Sequence, residues 1–527
     1  MKKRIKARVN SIKEGLERHY TGFCRRFPRV ARFLGFMRRR RRPLKGLFLV
    51  VAHTLGFVFS IQAVMQTRTE QGAVAWAFAL NTVPVAAVPA WFVFGNNKVV
   101  AYQSAKRVGL EEVRPLAEKL IKTLDRATAN PEEVGPGETE APPGNQSEIL
   151  KRLETIGSLP LMEGNSARLL VDGESTYEAL FEAISGAEHY ILMQFYIFRE
   201  DEIGKRMRDS LIAKAREGVA VYLLLDNLGS ISLSDEFIES MENEGIKVRY
   251  VMEVSGNANR FQFNFRNHRK IVVVDGKRGF LGGFNVGDEY LGKDPELTPW
   301  RDTHMEWRGP VVKCLQVPFA EDWRWATGEL LDQLDWEIRP GDVAGEVEAL
   351  CLATGPADPF ETCAMGFLTL IDGARDRIWL TTPYFVPDDK IVTALQLAAM
   401  RGVDVRVILP ELSDSRLVYL SSFSYLKELE DAGVKFYRYQ NGFLHQKVMI
   451  VDDSLSAIGS ANLDNRSFRL NFEVIGIVSD AAFNGEVSRM LEADLAHSKP
   501  TGSDALTERS FWFRLGVRLS RMLAPIQ

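Results

Sequence analysis

One short stretch occurs twice in this chain, and that repetition restricts what the chain can fold into. The first copy is His268-Arg-Lys270-Ile-Val-Val-Val-Asp275, followed after six residues by Gly282-Gly283-Phe284-Asn285. The second is His445-Gln-Lys447-Val-Met-Ile-Val-Asp452, followed after six residues by Gly459-Ser460-Ala461-Asn462. Both obey His-x-Lys-x4-Asp-x6-Gly-x-x-Asn, with the histidines 177 positions apart. Four apolar, mostly β-branched residues between Lys and Asp read as a buried strand. Side chains two apart on a strand share a face, so His268 and Lys270 project together, as do His445 and Lys447. Asp275-Gly276 and Asp452-Asp453 are turn signals, and the apolar run into Gly282 or Gly459 reads as the partner strand. Asp275 and Asp452 stand an odd step from the lysine, which gives them a supporting role at the edge of the site.

The flanking text repeats as well. Helical patterns over 176–186 and 203–217 lead to strands at Tyr190–Tyr196 and Val219–Leu225, and Ile246–Tyr250 is a third strand. Patterns over 362–373 and 390–401 lead to Ile378–Thr382 and Val403–Leu409, with Val434–Tyr439 as the third. The period is too long for a solenoid. It predicts two tandem α/β domains, at 166–340 and 341–500, sharing one interface. The first carries about eleven extra residues before its motif, including Phe261, Phe263 and Phe265 at every second position. That is one apolar strand face, for the core or as a wall for acyl chains.

Imidazole, ammonium and carboxamide converging on one side of a sheet suit a phosphate. Lys270 and Lys447 neutralise its oxygens, Asn285, Asn462 and the Ser460 hydroxyl donate to them, and His268 or His445 attacks phosphorus or moves a proton. Gly283 stands where the second copy has Ser460, so the halves are not identical. Two imidazoles supply a nucleophile and an acid–base partner, which is a reason for duplication. Two lysines already balance the phosphoryl charge, so no cofactor and no metal is expected. The four cysteines, Cys24, Cys314, Cys351 and Cys363, have neither metal-type spacing nor a disulfide framework.

Net charge is −3, yet residues 1–45 hold 17 Lys or Arg against two Glu. Ile5, Val9, Ile12, Leu16, Tyr20, Phe23 and Phe27 form one helical face there, a basic amphipathic extension suited to an anionic membrane surface. Gly46–Thr67 and Gly72–Asn97 contain no charged residue. Each exceeds the roughly 20 residues that cross a bilayer, which predicts a two-helix transmembrane hairpin with spans of about 46–66 and 73–94. Arginines before it and Lys98, Lys106 and Arg107 after it place both flanks in the cytoplasm. His53 reads as a small polar contact within the first span. Residues 98–165 form a linker, with an acidic Pro/Gly-rich disordered part at 130–145. Residues 501–527 carry a second basic amphipathic helix, either on the membrane or on the body.

These residues carry a resemblance. The two stretches resemble the paired HKD motifs of the phospholipase D superfamily, and the wider text resembles its two-motif bacterial cardiolipin synthases. The match spans nearly all of the chain beyond Leu44, most closely at Gly282–Gly292 (GGFNVGDEYLG), Trp300–His304 (WRDTH) and Gly459–Glu473 (GSANLDNRSFRLNFE). The resemblance implies a single site at a pseudo-twofold interface. It also implies a phosphatidyltransferase of the inner (plasma) membrane that makes cardiolipin and glycerol from two molecules of phosphatidylglycerol, with no nucleic-acid partner. His268 would be the nucleophile and His445 the acid–base group. Each histidine also needs an orienting carboxylate: Glu473 is the candidate for His445, and Asp302 or His304 the looser counterpart for His268. The motifs leave open a hydrolase or head-group exchanger on the same site, or a phosphodiesterase acting on DNA. A membrane scaffold with a relict site would have eroded one motif, and both are intact.

Overall fold

A computed structural model of the protein describes residues 41–67, 70–94, 115, 144–251 and 265–527. The amphipathic face of the basic extension, the acidic stretch up to residue 143, Phe261 and Phe263 lie outside the described residues. The chain divides into two compact units, Met1–Val100 and Ala101–Gln527.

In the first unit the helix Arg41–Gln66 turns back onto Glu70–Thr82 and Pro84–Phe94. Gly56 permits the close approach, since a Cβ there would lie 2.1 Å from the Leu80 carbonyl oxygen. Ala63, Leu80, Ala87, Val88 and Trp91 fill the seam. Phe48, Phe57, Met65, Val74 and Phe78 remain exposed, as lipid-facing side chains would be. Lys45–Met65 is the one described helix long and apolar enough by itself to cross a membrane. The second arm, expected as a single span over 73–94, is broken at Val83. Pro84 brings no N–H, and its ring disfavours helical geometry in the residue before it. His53 bonds the Leu49 carbonyl one turn back, at 2.9 Å, in keeping with a small polar contact.

Among the described residues the second unit is built on a sixteen-stranded sheet, with fifteen strands in a nearly palindromic order and Arg266–Asn267 paired off that path. Outward from the seam, the first half runs Met162–Val171, Thr303–Arg308, Arg278–Gly282, Ile271–Val274, Tyr190–Phe195, Ala220–Asp226 and Lys247–Val251. The second half runs Val347–Thr354, Asn471–Ser479, Leu455–Gly459, Val448–Val451, Arg377–Thr381, Asp404–Pro410 and Lys435–Tyr439, with Ser498–Thr501 at its edge. The halves join through the antiparallel pairing of Met162 with Ala349 and Asn165 with Val347. The duplicated α/β fold read from the sequence is therefore present, and both motif strands are central, where Ile271–Val274 and Val448–Val451 are wholly buried. Inside the span expected as linker, Gly144–Gly157 is a helix. Its Ile149, Leu150 and Leu153 enter the core of the second half, so an apolar face overrides the linker composition around it.

Candidate active site

Each motif histidine is held by the opposite half. The backbone N–H of His268 donates to the Phe472 carbonyl at 2.9 Å, and that of His445 to the Arg301 carbonyl at 2.8 Å. Two short parallel pairings carry these bonds: Arg266–Asn267 beside Asn471–Phe472, and Phe443–Leu444 beside Trp300–Arg301. The carboxylates cross over in the same way. Nδ1 of His268 lies 2.9 Å from Glu473, and Nδ1 of His445 lies 2.7 Å from Asp302. The expected pairing of Glu473 with His445, and of Asp302 with His268, is thus reversed. His304 orients neither. Both of its ring nitrogens are buried without a partner, and burial pushes the imidazole down to about 3, so it is a neutral core side chain.

The two acids occupy equivalent places. Gly283 N–H donates to Thr303 O and Ser460 N–H to Val474 O, so Asp302 and Glu473 each stand one residue before the accepting carbonyl. Around them the halves differ. Ser460 Oγ donates to Glu473 at 2.6 Å and accepts from Val474 N–H, so this hydroxyl positions the carboxylate instead of reaching a phosphate. At Gly283 a Cβ would lie 2.0 Å from Asp302 Oδ1. Glycine makes room for the shorter acid to approach its histidine.

The other expected site residues also separate. Asp275 accepts from the N–H groups of Glu188, His189 and Tyr190, all at 2.8 Å. Asp452 accepts from those of Arg375, Asp376 and Arg377. Grouped with the catalytic set by the motif, the two aspartates instead tie the hairpin turn to the start of the neighbouring strand. Both take positive φ, 53° and 52°, which Asp tolerates better than most residues. Asn285 is also committed elsewhere: its Oδ1 accepts from Ile197 N–H and its Nδ2 donates to Tyr290. Asn462 keeps a buried carboxamide oxygen without a partner, an acceptor for a ligand N–H or O–H, while only its Nδ2 could donate to a phosphoryl oxygen.

Burial pushes the His268 imidazole down to about 4, against the pull of Glu473. His445 is lowered too, by burial and then by Lys447. Burial brings Lys270 down to about 7 and Lys447 to about 8, although Glu473 and Asp302 oppose it. Burial raises both acids, but the histidines and lysines outweigh it and leave Glu473 and Asp302 below the usual carboxylate range. Lys447 lowers both His268 and Lys270 in the other motif, and both lysines feel Glu473, which gathers the two motifs around one centre. Lys447 Nζ sits 3.0 and 3.1 Å from the two ring nitrogens of His445. Each lysine also donates to the carbonyl of its own histidine, Lys270 to His268 at 2.7 Å and Lys447 to His445, and Lys270 lowers the His268 imidazole through its charge.

Several contributors were not read from the sequence. The middle residue of each motif points away from the site into a buried anchor. Arg269 pairs with Asp322 at 2.8 Å, and Gln446 donates to Asp494, which also holds Arg301. The Tyr196 ring stands 5.3 Å from the His268 ring, and Arg266 and Arg466 both act on its hydroxyl. On the other side, Trp300 and Phe443 lie 5.0 and 5.7 Å from His445. Strand alternation signals the Arg269 anchor; nothing local signals the others.

Two buried imidazoles, each oriented by the other half's carboxylate beside a lysine, define a phospholipase D-like centre suited to phosphoryl transfer. The family model described as cardiolipin synthase, PLD-like domain, matches residues 180–323 and 367–495. The chain belongs to this family and is an enzyme of the phosphatidyltransferase class. It is similar to cardiolipin synthase A of Pseudomonas fluorescens, 44% identical over 486 residues that cover 91% of this chain and 98% of that protein. It is likewise similar to cardiolipin synthase A of Pseudomonas aeruginosa, 47% identical over 484 residues, covering 91% and 96%. Among solved structures, phosphatidylserine synthase of Haemophilus influenzae shares the fold, with a TM-score of 0.55 at 14% identity, covering 72% of this chain and all of that one.

Proposed function

We propose that the protein condenses two molecules of phosphatidylglycerol into cardiolipin and glycerol in two displacements at one phosphorus. Nδ1–H of His268 donates to Glu473, which leaves Nε2 with a free lone pair. That nitrogen attacks the phosphodiester, a P–N bond forms, and the P–O bond to glycerol breaks. His445, in its protonated form, gives its proton to the departing oxygen. The neutral His445 then takes the proton from a hydroxyl of a second phosphatidylglycerol, whose oxygen displaces His268 and closes the new P–O bond. Lys270, Lys447 and Asn462 hold the non-bridging oxygens.

The observation that carries the order of roles is the unequal placing of the lysines. Both lysines bond the carbonyl of their own histidine, but only Lys447 also lies against the ring nitrogens. A ring whose nitrogens meet no ammonium suits attack on phosphorus, and the Asp302 carboxylate on the other ring supports the proton that ring must carry. The positive Arg266 and Arg466 beside Tyr196 favour an anionic lipid on the His268 side. We place the protein in the bacterial plasma membrane, with both arms of the helical hairpin crossing and both termini in the cytoplasm, on the basis of the arginines before the first span.

Incubation of the purified protein with phosphatidylglycerol alone tests the reaction. Cardiolipin and glycerol in equal amounts are expected, with activity surviving chelation by EDTA. Phosphatidic acid as the only lipid product would assign the site to a hydrolase.

A further inference from the structure

The helix Phe511–Arg521 has two apolar faces, and the body uses only one of them. Val517 and Ser520 are buried, Phe513 packs edge-on against Phe423 at 5.4 Å, and Arg521 bonds the Ser424 carbonyl on the helix Arg416–Glu430. At 100° per residue, Phe511, Trp512, Leu515, Leu519, Met522 and Leu523 fall on a single stripe turned away from that contact. Trp512 is 77% exposed and Met522 75%. Arg514, Arg518 and Arg521 lie along the seam between the stripe and the packed face, and Arg509, just before the helix, lies over the Phe513 ring. A soluble surface rarely leaves two adjacent aromatic side chains and four aliphatic ones together in water.

The loops at the mouth of the site follow the same rule. Asp226 accepts from the N–H of Asn267, next to His268, and from that of Leu228. Leu228 and Ile231 in that loop are exposed, Ile231 by 71%. In the second half, Leu412 and Leu417 flank Asp414, whose charge acts on His445 and Lys447, and both leucines are exposed.

We infer that the C-terminal helix is a membrane contact of the catalytic unit, with its outer apolar stripe inserted among the lipids of an anionic bilayer and Arg514 and Arg518 against the phosphates. Charge selects this occupant. The chain's own N-terminal extension carries 17 Lys or Arg and would meet arginines of the same sign, as would a second copy of the helix. An anionic lipid surface satisfies the aromatic end, the aliphatic stripe and the cationic seam together. The inference rests on the reading that the substrate lies in a bilayer, but its test needs no turnover.

The test uses the full chain with Trp512→Cys in a Cys24→Ser background, where the three remaining cysteines are buried. An environment-sensitive fluorophore is attached at position 512. In vesicles of phosphatidylglycerol and phosphatidylcholine, lipid-borne nitroxide should quench it at least several-fold more than aqueous iodide does, and less so in vesicles of phosphatidylcholine alone. Water-like emission with free iodide quenching in both vesicles would overturn the inference, as would concentration-dependent burial of the probe in detergent without vesicles. A separate Trp512→Glu, Leu519→Glu variant should keep the wild-type melting temperature and its kcat on detergent-dispersed substrate, with KM on vesicles raised about tenfold. An unchanged vesicle KM would count equally against it.

Discussion

The two halves of the catalytic unit share a strand order and differ in how each seats the acid that serves the other. On the Glu473 side, a longer carboxylate is reached by the Ser460 hydroxyl. On the Asp302 side, a shorter carboxylate sits where any side chain on Gly283 would collide with it. The flanks differ too, with Tyr196 and two arginines beside His268 against Trp300 and Phe443 beside His445. Duplication supplies two imidazoles, and in the reaction we propose the divergence around them gives each a separate task. The crossed carboxylates also mean that neither half holds an oriented histidine without the other.

Removing each half's chemistry should break the comparison most severely. His268→Ala and His445→Ala should each lower kcat by about 10⁴-fold or more, by analogy with coupled catalytic groups, with melting temperature retained. Only the His445 variant should keep the ability to form a lipid adduct. Glu473→Gln and Asp302→Asn should each cost on the order of 10²–10⁴-fold in kcat, because the partner histidine loses its orientation. The crossing is tested by which imidazole changes: the ring resonances of His268 should shift in Glu473→Gln, and those of His445 in Asp302→Asn.

Asp322→Ala leaves Arg269 charged and buried without its carboxylate. It should destabilise the fold by about 3–5 kcal/mol in chemical denaturation. Gly283→Ser should damage activity more than Ser460→Gly. The first forces atoms into the Asp302 carboxylate, whereas the second removes two buried hydrogen bonds, to Glu473 and from Val474 N–H, each worth about 1–3 kcal/mol. Equal losses would mean that the asymmetry has no mechanical role.

The smallest effect is on pH. His268 must be neutral to attack, so kcat/KM should rise as pH climbs through about 4. It should then fall as His445, held below the ordinary imidazole range by burial, loses the proton it gives to the departing oxygen. It should fall further as Lys270 and Lys447 lose theirs at about 7 and about 8. Lys447→Arg, which cannot lose its charge in this range, should remove the step near 8.

Much of this architecture is legible in the sequence because it is local. The strand–turn–strand units of the motifs, the helices before Tyr190 and Arg377, and the duplication itself follow from periodicity within short windows. Most element ends shift by only a residue or so, as in Asp389–Met400 against the expected 390–401, although the helix expected over 176–186 begins at Asp172. The pairing of Glu473 is different. It follows His445 by 28 positions and precedes no motif, so proximity along the chain points to the wrong imidazole. Which acid meets which histidine is settled by two two-residue pairings across the halves, Arg266–Asn267 and Phe443–Leu444, too short to carry any periodic signal. Ser460 fits a phosphate donor equally well on paper; only the nearby carboxylate decides its use. The break at Val83 is local and could have been read from Pro84.

The most direct measurement is rapid acid-free quenching of the enzyme with phosphatidylglycerol labelled at phosphorus, followed by mapping of the labelled peptide. A label on His268 that accumulates in His445→Ala and vanishes in His268→Ala is the predicted result. A label on His445 in the His268→Ala protein, or product formation by that protein, would contradict it.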